Sequence, residues 1–365
     1  MHIIESLGRG GAERQLVNQL LAHDSTLIRP SVVTLNPPLD LADELRSAGI
    51  AVMTLNLPAF GDMPFAMLRL IGIIKLLRPD IIHTWLARAD LSGRMAAVLS
   101  GLPVVSAVQA PMYEPTVFLD NPRQKKWKLE IVRKLDQVTS RVSNTLHVAC
   151  SHLVQTSIQR ALYIKPSRVR VIYNGVQLSN MTPHQFSLRL ITVGRLSPEK
   201  GHRYLLEAMP TILAHHPTAT LQIVGDGPLR VALQTHTETL GLTQSVAFLG
   251  SRKDVPKLLA KSDLFVFPSL WEGLPLVPLE ALSIGLPVIA SDIPALREIV
   301  DDGIHGILVP SQNPQALAHA IINLLDNPKH GQALGIAGRE RIAERFDITV
   351  TVRQWEQLYR DVAAR

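Results

Sequence analysis

Short apolar runs alternate with longer amphipathic stretches from one end of the chain to the other. The runs read as strands over residues 3–7, 31–35, 51–55, 81–84, 104–108, 145–149 and 169–172. A second series covers 188–193, 220–224, 246–249, 264–267, 288–290 and 306–308. The runs are nearly continuous in apolar residues rather than alternating, the pattern of strands covered on both faces. The stretches between them have helical spacing; over 12–23, Leu16, Val17, Leu20 and Leu21 share one face. Such alternation builds parallel sheets flanked by helices, and two series predict an α/β chain of two doubly wound domains. The polar stretch 177–187, which contains Pro183, marks the seam. The first domain is therefore expected over 1–180 and the second over 188–345. A closing helix over 349–364 sets Trp355 and Tyr359 four residues apart, an aromatic pair that needs a surface, and is expected to pack back on the first domain.

Length and composition agree with that outline. At 365 residues the chain is long for one core, and 46% hydrophobic against 19% charged excludes a disordered chain. Lys plus Arg exceeds Asp plus Glu by 37 to 31, a net +6 that favours an anionic partner: a phosphorylated ligand, a membrane surface or nucleic acid. No nucleic-acid recognition motif accompanies the charge. The single cysteine, Cys150, excludes an intrachain disulfide and a multi-cysteine zinc site, and its apolar setting reads as a small buried hydrophobe. With no cationic leader, a cytoplasmic location is expected. The charge-free run 95–113 is broken by Gly101-Leu102-Pro103 and Pro111, and 65–77 by Arg69 and Lys75. Neither offers the roughly 20 uninterrupted apolar residues of a membrane span.

Four segments carry candidate chemistry. Val193-Gly194-Arg195-Leu196-Ser197-Pro198-Glu199-Lys200-Gly201 follows a strand and precedes a helix, placing two cations at a sheet's carboxyl end. Arg as a planar fork and Lys as a point charge could clamp a diphosphate. Val224-Gly225-Asp226-Gly227-Pro228 occupies the next such turn. In the third segment, running from Pro268 to Ala281, Glu272 and Glu280 are separated by seven residues. Pro278 suits the first position of a helix, which would put Glu280 in its first turn and Glu272 on the loop before it. The Gly273, Leu274, Pro275 and Leu276 stretch then offers backbone N–H groups and a helix start to an anion. The fourth, Ser6-Leu7-Gly8-Arg9-Gly10-Gly11-Ala12-Glu13, lacks the last glycine of a dinucleotide fingerprint, which disfavours an oxidoreductase. No Asp-x-Asp, His-Glu-x-x-His or Gly-x-Ser-x-Gly pattern occurs, so no catalytic metal is expected.

Taken together, Glu272-x7-Glu280, the Val-Gly-Arg-x4-Lys-Gly loop upstream and the Val-Gly-Asp-Gly-Pro between them resemble glycosyltransferase family 4. Further matches are Gly10-Gly11-Ala12-Glu13-Arg14-Gln15, Asn174-Gly175-Val176 and Gly285-Leu286-Pro287-Val288. The resemblance implies the GT-B fold, two Rossmann-like domains facing across a cleft. It also implies retaining transfer of a hexose-type sugar from a nucleotide diphosphate sugar, with no cofactor and usually no metal. It would make Arg195 and Lys200 the neutralisers of the leaving diphosphate, Glu272 the contact to the donor sugar and Glu280 the contact to the ribose. Gly11, Gly194 and Gly225 would lie close to the donor. Gln109 stands where many members carry His or a cation, which removes a base there; His83 is the other acceptor-side candidate. Gln177 replaces an aspartate common after Asn-Gly-Val. The basic stretch with Arg123, Lys125, Lys126, Trp127 and Lys128 suggests docking on anionic lipid, near a glycan or lipid-linked acceptor of cell-surface polysaccharide or lipopolysaccharide synthesis. Competing readings are an epimerase or a phosphorylase on the same fold, or a non-catalytic sugar-nucleotide binder.

Overall fold

A computed structural model describes residues 1–114, 126–180 and 187–364. The described chain divides into two compact units, 1–114 with 126–175 and 348–364, and 176–180 with 187–347. The crossing between Gly175 and Val176 lies just ahead of the polar stretch that marks the seam in the sequence. The return, between Asp347 and Ile348, is next to it within the second unit: Val176 N donates to Phe346 O at 2.9 Å.

The first unit is built on a parallel sheet of order β3-β2-β1-β4-β5-β6-β7. Its strands are β1 His2–Ile4, β2 Ser31–Thr34, β3 Ala51–Thr54, β4 Ile82–Trp85, β5 Val104–Val108, β6 Leu146–Ala149 and β7 Val169–Val171. Alternate side chains feed opposite faces, as the pleat requires. Ile4, Val32 and Val105 join Leu16, Val17 and Leu20 of the Gly11–Ala22 helix on one side. Ile3, Val33 and Val104 join Leu70, Ile74 and Ala97 of the Met63–Leu77 and Ala87–Leu99 helices on the other. The closing helix, Ile348–Ala363, belongs to this unit and covers the first of these faces through Trp355, Leu358 and Val362.

That packing overturns the reading of His83 as an acceptor-side residue. Its ring, 1% exposed, lies in register beside His2 and against Trp85, Trp355 and Tyr359. Gln19 Nε2 donates to the Tyr359 hydroxyl (3.0 Å), which is hydrogen-bonded to His83 Nδ1 (2.7 Å). Burial, with the nearby N-terminal ammonium adding to it, holds the imidazole neutral well below the usual histidine range. His83 is a core residue because the middle of a covered sheet has no water.

The second unit repeats the architecture with order β10-β9-β8-β11-β12-β13. Its strands are β8 Arg189–Val193, β9 Thr220–Val224, β10 Val246–Gly250, β11 Leu264–Phe267, β12 Val288–Ser291 and β13 Ile307–Val309. The His202–His215 and Pro314–Asp326 helices bury Leu205, Met209, Ile212, Leu317 and Ile321 against Leu190, Leu221, Val266 and Ile289. In such a sheet the strand order reverses between β8 and β11, and the loops leaving their carboxyl ends diverge, opening a crevice. Among the described residues no helix is long and apolar enough to cross a membrane.

Candidate functional site

The two loops at that reversal are the ones the sequence singles out. β8 runs into Gly194–Gly201 and β11 into Pro268–Pro275. Lys200 ends a short turn, Pro198–Lys200, that Gly201 closes in the left-handed region at φ +63°. A Cβ on Gly201 would lie 2.0 Å from the Pro268 carbonyl oxygen, so glycine is required there twice over. Leu270 N donates to Glu199 O at 2.7 Å and ties the two loops together.

The tie brings two sequence candidates into contact: Lys200 Nζ donates to Glu272 Oε1 at 2.6 Å. The pair is largely enclosed, with side chains 20% and 11% exposed, and Lys200 Nζ also stands 5.5 Å over the Phe267 ring. Phe267, the last residue of β11, belongs to no motif, so nothing in the sequence marks it as a site residue. Arg195 is exposed and its guanidinium has no hydrogen-bond or ion-pair partner among the described residues. His202, which opens the next helix, is buried and pushed down to about 4, first by desolvation and then by Lys200. Near the site are two more buried polar atoms with no partner among the described residues, Ser269 Oγ and Trp271 Nε1.

The third loop closes in from β9. Gly225, at φ +137°, would put a Cβ 1.9 Å from the Gly194 carbonyl oxygen, and Leu196 N donates to Asp226 O at 3.0 Å. Gly194 is different: a Cβ there would meet only side-chain atoms, Lys200 Cδ at 3.6 Å first. Asp226 is engaged by Arg230 at 3.0 Å.

Downstream, Gly273, Leu274, Pro275 and Leu276 are buried in a run leading into the Leu276–Ile284 helix. Two expectations are corrected here. The helix starts at Leu276 rather than Pro278, so Glu280 falls in its second turn, half-buried, and the first turn has no acidic residue. The cause is that proline fits the first turn at more than one position, since N–H groups there have no partner inside the helix. The amide donors are also fewer than a count of residues suggests: Pro275 has no N–H, leaving Gly273, Leu274 and Leu276.

In the first unit, Gly11 opens the Gly11–Ala22 helix, and a Cβ on it would meet nothing within 4 Å. Gln109 follows β5, half-buried, with its carbonyl accepting from Cys150 Sγ at 3.4 Å; Cys150 itself is buried. Lys126, Trp127 and Lys128 are exposed at the start of the Lys126–Val142 helix, while Arg123 and Lys125 lie outside the described residues. A buried ionic cluster appears that no motif signals. Arg94, 1% exposed, donates to Ser106 Oγ (3.0 Å), Ser140 Oγ (3.0 Å) and Asp136, and Asp136 also accepts from the Tyr113 hydroxyl (2.6 Å). Asp90, 3.4 Å from Arg94, is raised to about 6 by desolvation despite that cation, with Asp136 adding repulsion. Among the described residues no three His, Cys, Asp or Glu side chains converge as metal ligands.

Comparison with known proteins bears on this geometry. Residues 186–341 match the model of "Glycosyl transferases group 1", and residues 9–180 match "Glycosyltransferase Family 4". The chain is 30% identical over 344 residues to the Escherichia coli UDP-Gal:alpha-D-GlcNAc-diphosphoundecaprenol alpha-1,3-galactosyltransferase, covering 88% of this chain and 85% of the relative. The crystal structure of Anabaena HepE in complex with UDP is similar with a TM-score of 0.82 at 22% identity, over 99% of both chains. Sucrose-phosphate synthase from Thermosynechococcus elongatus is similar with a TM-score of 0.82 at 21% identity, over 100% of this chain and 98% of that one.

Proposed function

The chain belongs to glycosyltransferase family 4, and on that premise we propose that it moves a hexose-type sugar from a nucleotide diphosphate sugar to a glycan or lipid-linked acceptor. We place the reaction in cell-surface polysaccharide or lipopolysaccharide synthesis on the cytoplasmic side, with retention of anomeric configuration and without a metal ion. The observation that carries the proposal is the Lys200–Glu272 pair at the reversal of strand order, with the unpartnered Arg195 on the same loop. The Escherichia coli relative, an enzyme of UDP-Gal and a diphosphoundecaprenol acceptor, supports a uridine-linked hexose and a lipid-linked acceptor.

The chemistry follows from the donor and acceptor inventory. An ammonium group has three N–H donors, and the contact to Glu272 uses one, leaving two for a phosphate without breaking the pair. Charge on the diphosphate grows as the bond to the sugar breaks. Lys200 and Arg195 are fixed cations where that charge develops, and preorganised cations stabilise it without reorganisation cost at that moment. Glu272 Oε1 is held by Lys200, so Oε2 is the oxygen left to accept a sugar hydroxyl. The amides of Gly273, Leu274 and Leu276 add uncharged donors beside it, Gly194 keeps a side chain away from the donor, Gly225 lets its loop close against Gly194, and Glu280 takes the ribose hydroxyls.

The test is transfer from UDP-hexoses in the presence of a chelator, with donor binding followed by calorimetry. Lys200→Ala and Glu272→Ala should each lower kcat by about 10²–10³ with an unchanged circular dichroism spectrum. Near-normal turnover in both variants, or donor binding that requires magnesium, would overturn the proposal.

A further inference from the structure

We propose, on the transferase reading above, that Arg88 is a positioning residue that shapes a sugar-binding rim on the first unit, where the acceptor's hydroxyl groups are received. The order β3-β2-β1-β4 reverses between β1 and β4, so the loops leaving their carboxyl ends diverge there, as they do in the second unit. Arg88 lies at that reversal, in the first turn of the Ala87–Leu99 helix. Its Nη1 donates to Asn36 Oδ1 (3.1 Å) and Pro58 O (2.9 Å), and its Nη2 to Leu57 O (2.6 Å) and Ala59 O (2.8 Å). Its backbone N–H donates to Glu5 Oε1 at 3.0 Å. One side chain thereby joins the exits of β2, β3 and β4, and its amide adds that of β1.

Arginine has two N–H groups on each terminal nitrogen, and the four acceptors use them all. Arg88 thus has no terminal N–H left for a phosphate; what it holds is backbone. Three successive carbonyls, those of Leu57, Pro58 and Ala59, point at one guanidinium, and their dipoles repel one another unless a cation stands between them. Asn56, Pro58 and Ala59 are exposed, so water alone would satisfy the loop, and the convergence fills no core. The backbone beside Arg88 points to the same place. Leu86, the N-cap of its helix, stands at φ +71° and ψ +158°, a region that glycine alone adopts readily. Packing against the cluster with Ile4 and Trp85, and a carbonyl that accepts from Asp90 N at 2.9 Å, keep it there. Backbone strain of this kind collects where ligands bind. The rim offers hydrogen-bond acceptors. Glu5 is half-buried and, with Oε1 taken by the Arg88 N–H, has Oε2 for a ligand hydroxyl. Such an acceptor suits the hydroxyl groups of a sugar, whereas a phosphate would meet repulsion from Glu5.

The experiment compares Arg88→Met, Arg88→Lys and Glu5→Gln with the parent full chain, with UDP-galactose as donor and N-acetylglucosamine diphosphate on a short alkyl chain as the acceptor probe. Arg88→Met keeps the stem and removes the N–H groups. It should raise KM for the acceptor by about tenfold or more, while kcat and the calorimetric Kd for UDP-galactose stay within about twofold. Its melting temperature should stay within a few degrees of the parent. Arg88→Lys, with three N–H groups on one atom, should recover part of the loss. Glu5→Gln keeps an oxygen for the Arg88 N–H and turns the other acceptor into a donor. It should raise the acceptor KM by a similar factor, and it tests the rim even if Arg88→Met does not fold. Binding of the probe without donor, followed by saturation-transfer NMR, is a readout separate from transfer. A parent that binds the probe and moves no sugar, with binding lost in the variants, would refute the transferase reading and leave the rim standing as a sugar site. An unchanged acceptor KM in Glu5→Gln and in the folded Arg88 variants, a loss confined to kcat or to donor binding, or a parent that does not bind the probe would each overturn the proposal.

Discussion

Gly194 and Gly225 terminate adjacent strands, yet they are glycine for different reasons. At Gly225 the chain itself leaves no room, since a Cβ would collide with the Gly194 carbonyl oxygen. At Gly194 no backbone atom is close, and an alanine methyl would rest against Lys200 at an ordinary 3.6 Å. If a diphosphate sits over this loop, the ligand is what excludes a side chain at Gly194. Gly194→Ala should then leave the melting temperature within a few degrees of the parent. It should weaken UDP-hexose binding by about tenfold or more, roughly 1.4 kcal/mol, measured by calorimetry. An unchanged dissociation constant would remove Gly194 from the donor site. The same scale shows where motif reading stops. Residue types and loop positions marked Lys200 and Glu272 as candidates, but their direct contact depends on β8 and β11 being neighbours in the sheet.

The closing helix is the element on which the first unit depends most. Its Trp355 is 3% exposed and joins the cluster that contains Ile4, Trp85 and Val105, and Tyr359 supplies the buried hydroxyl between Gln19 and His83. Trp355→Ala should cost about 3–5 kcal/mol in urea unfolding, because it opens a cavity no neighbouring side chain can fill. A loss under about 1 kcal/mol would make the helix an accessory rather than a wall of that core. Elements were the most legible part of the sequence. Each strand expected from a short apolar run is present within three residues of its expected bounds, because strands covered on both faces leave an uninterrupted apolar signature. The start of the Leu276–Ile284 helix was less legible, since Pro275 and Pro278 both fit a helix entrance. The apolar stripe of the Lys126–Val142 helix, Trp127, Ile131, Leu135, Val138 and Val142, is exposed. It was not legible as outward: spacing identifies an apolar face but does not say which way it turns.

At the scale of the whole molecule, His2, His83, His147 and His202 are, among the described residues, held neutral in the interior. Burial keeps His2, His83 and His147 well below the usual range and lowers His202 to about 4. Their unfolded counterparts titrate near 6.5. Their stabilising contribution is therefore complete above that value and is lost as pH falls toward the folded values, because the unfolded chain binds the extra protons. Asp90 has the opposite sign: raised to about 6, it costs stability at neutral pH and the cost is relieved as pH falls through that value. With these four buried histidines outweighing Asp90, urea midpoints should fall between about pH 7 and about pH 5, at up to roughly 1.4 kcal/mol per pH unit for each histidine. A flat profile over that window would contradict the burial of these rings.

By itself, the sequence determined the two series of strands, the loops that carry the cations and carboxylates, and the family to which those loops belong. These are local properties, set by runs of apolar residues and by which residue types follow a strand. Only the tertiary structure decided that Lys200 meets Glu272, that His83 is enclosed rather than offered to a ligand, and that one helix turns its apolar side outward. Each of those depends on what a distant segment places opposite the residue, and spacing along the chain contains no record of it.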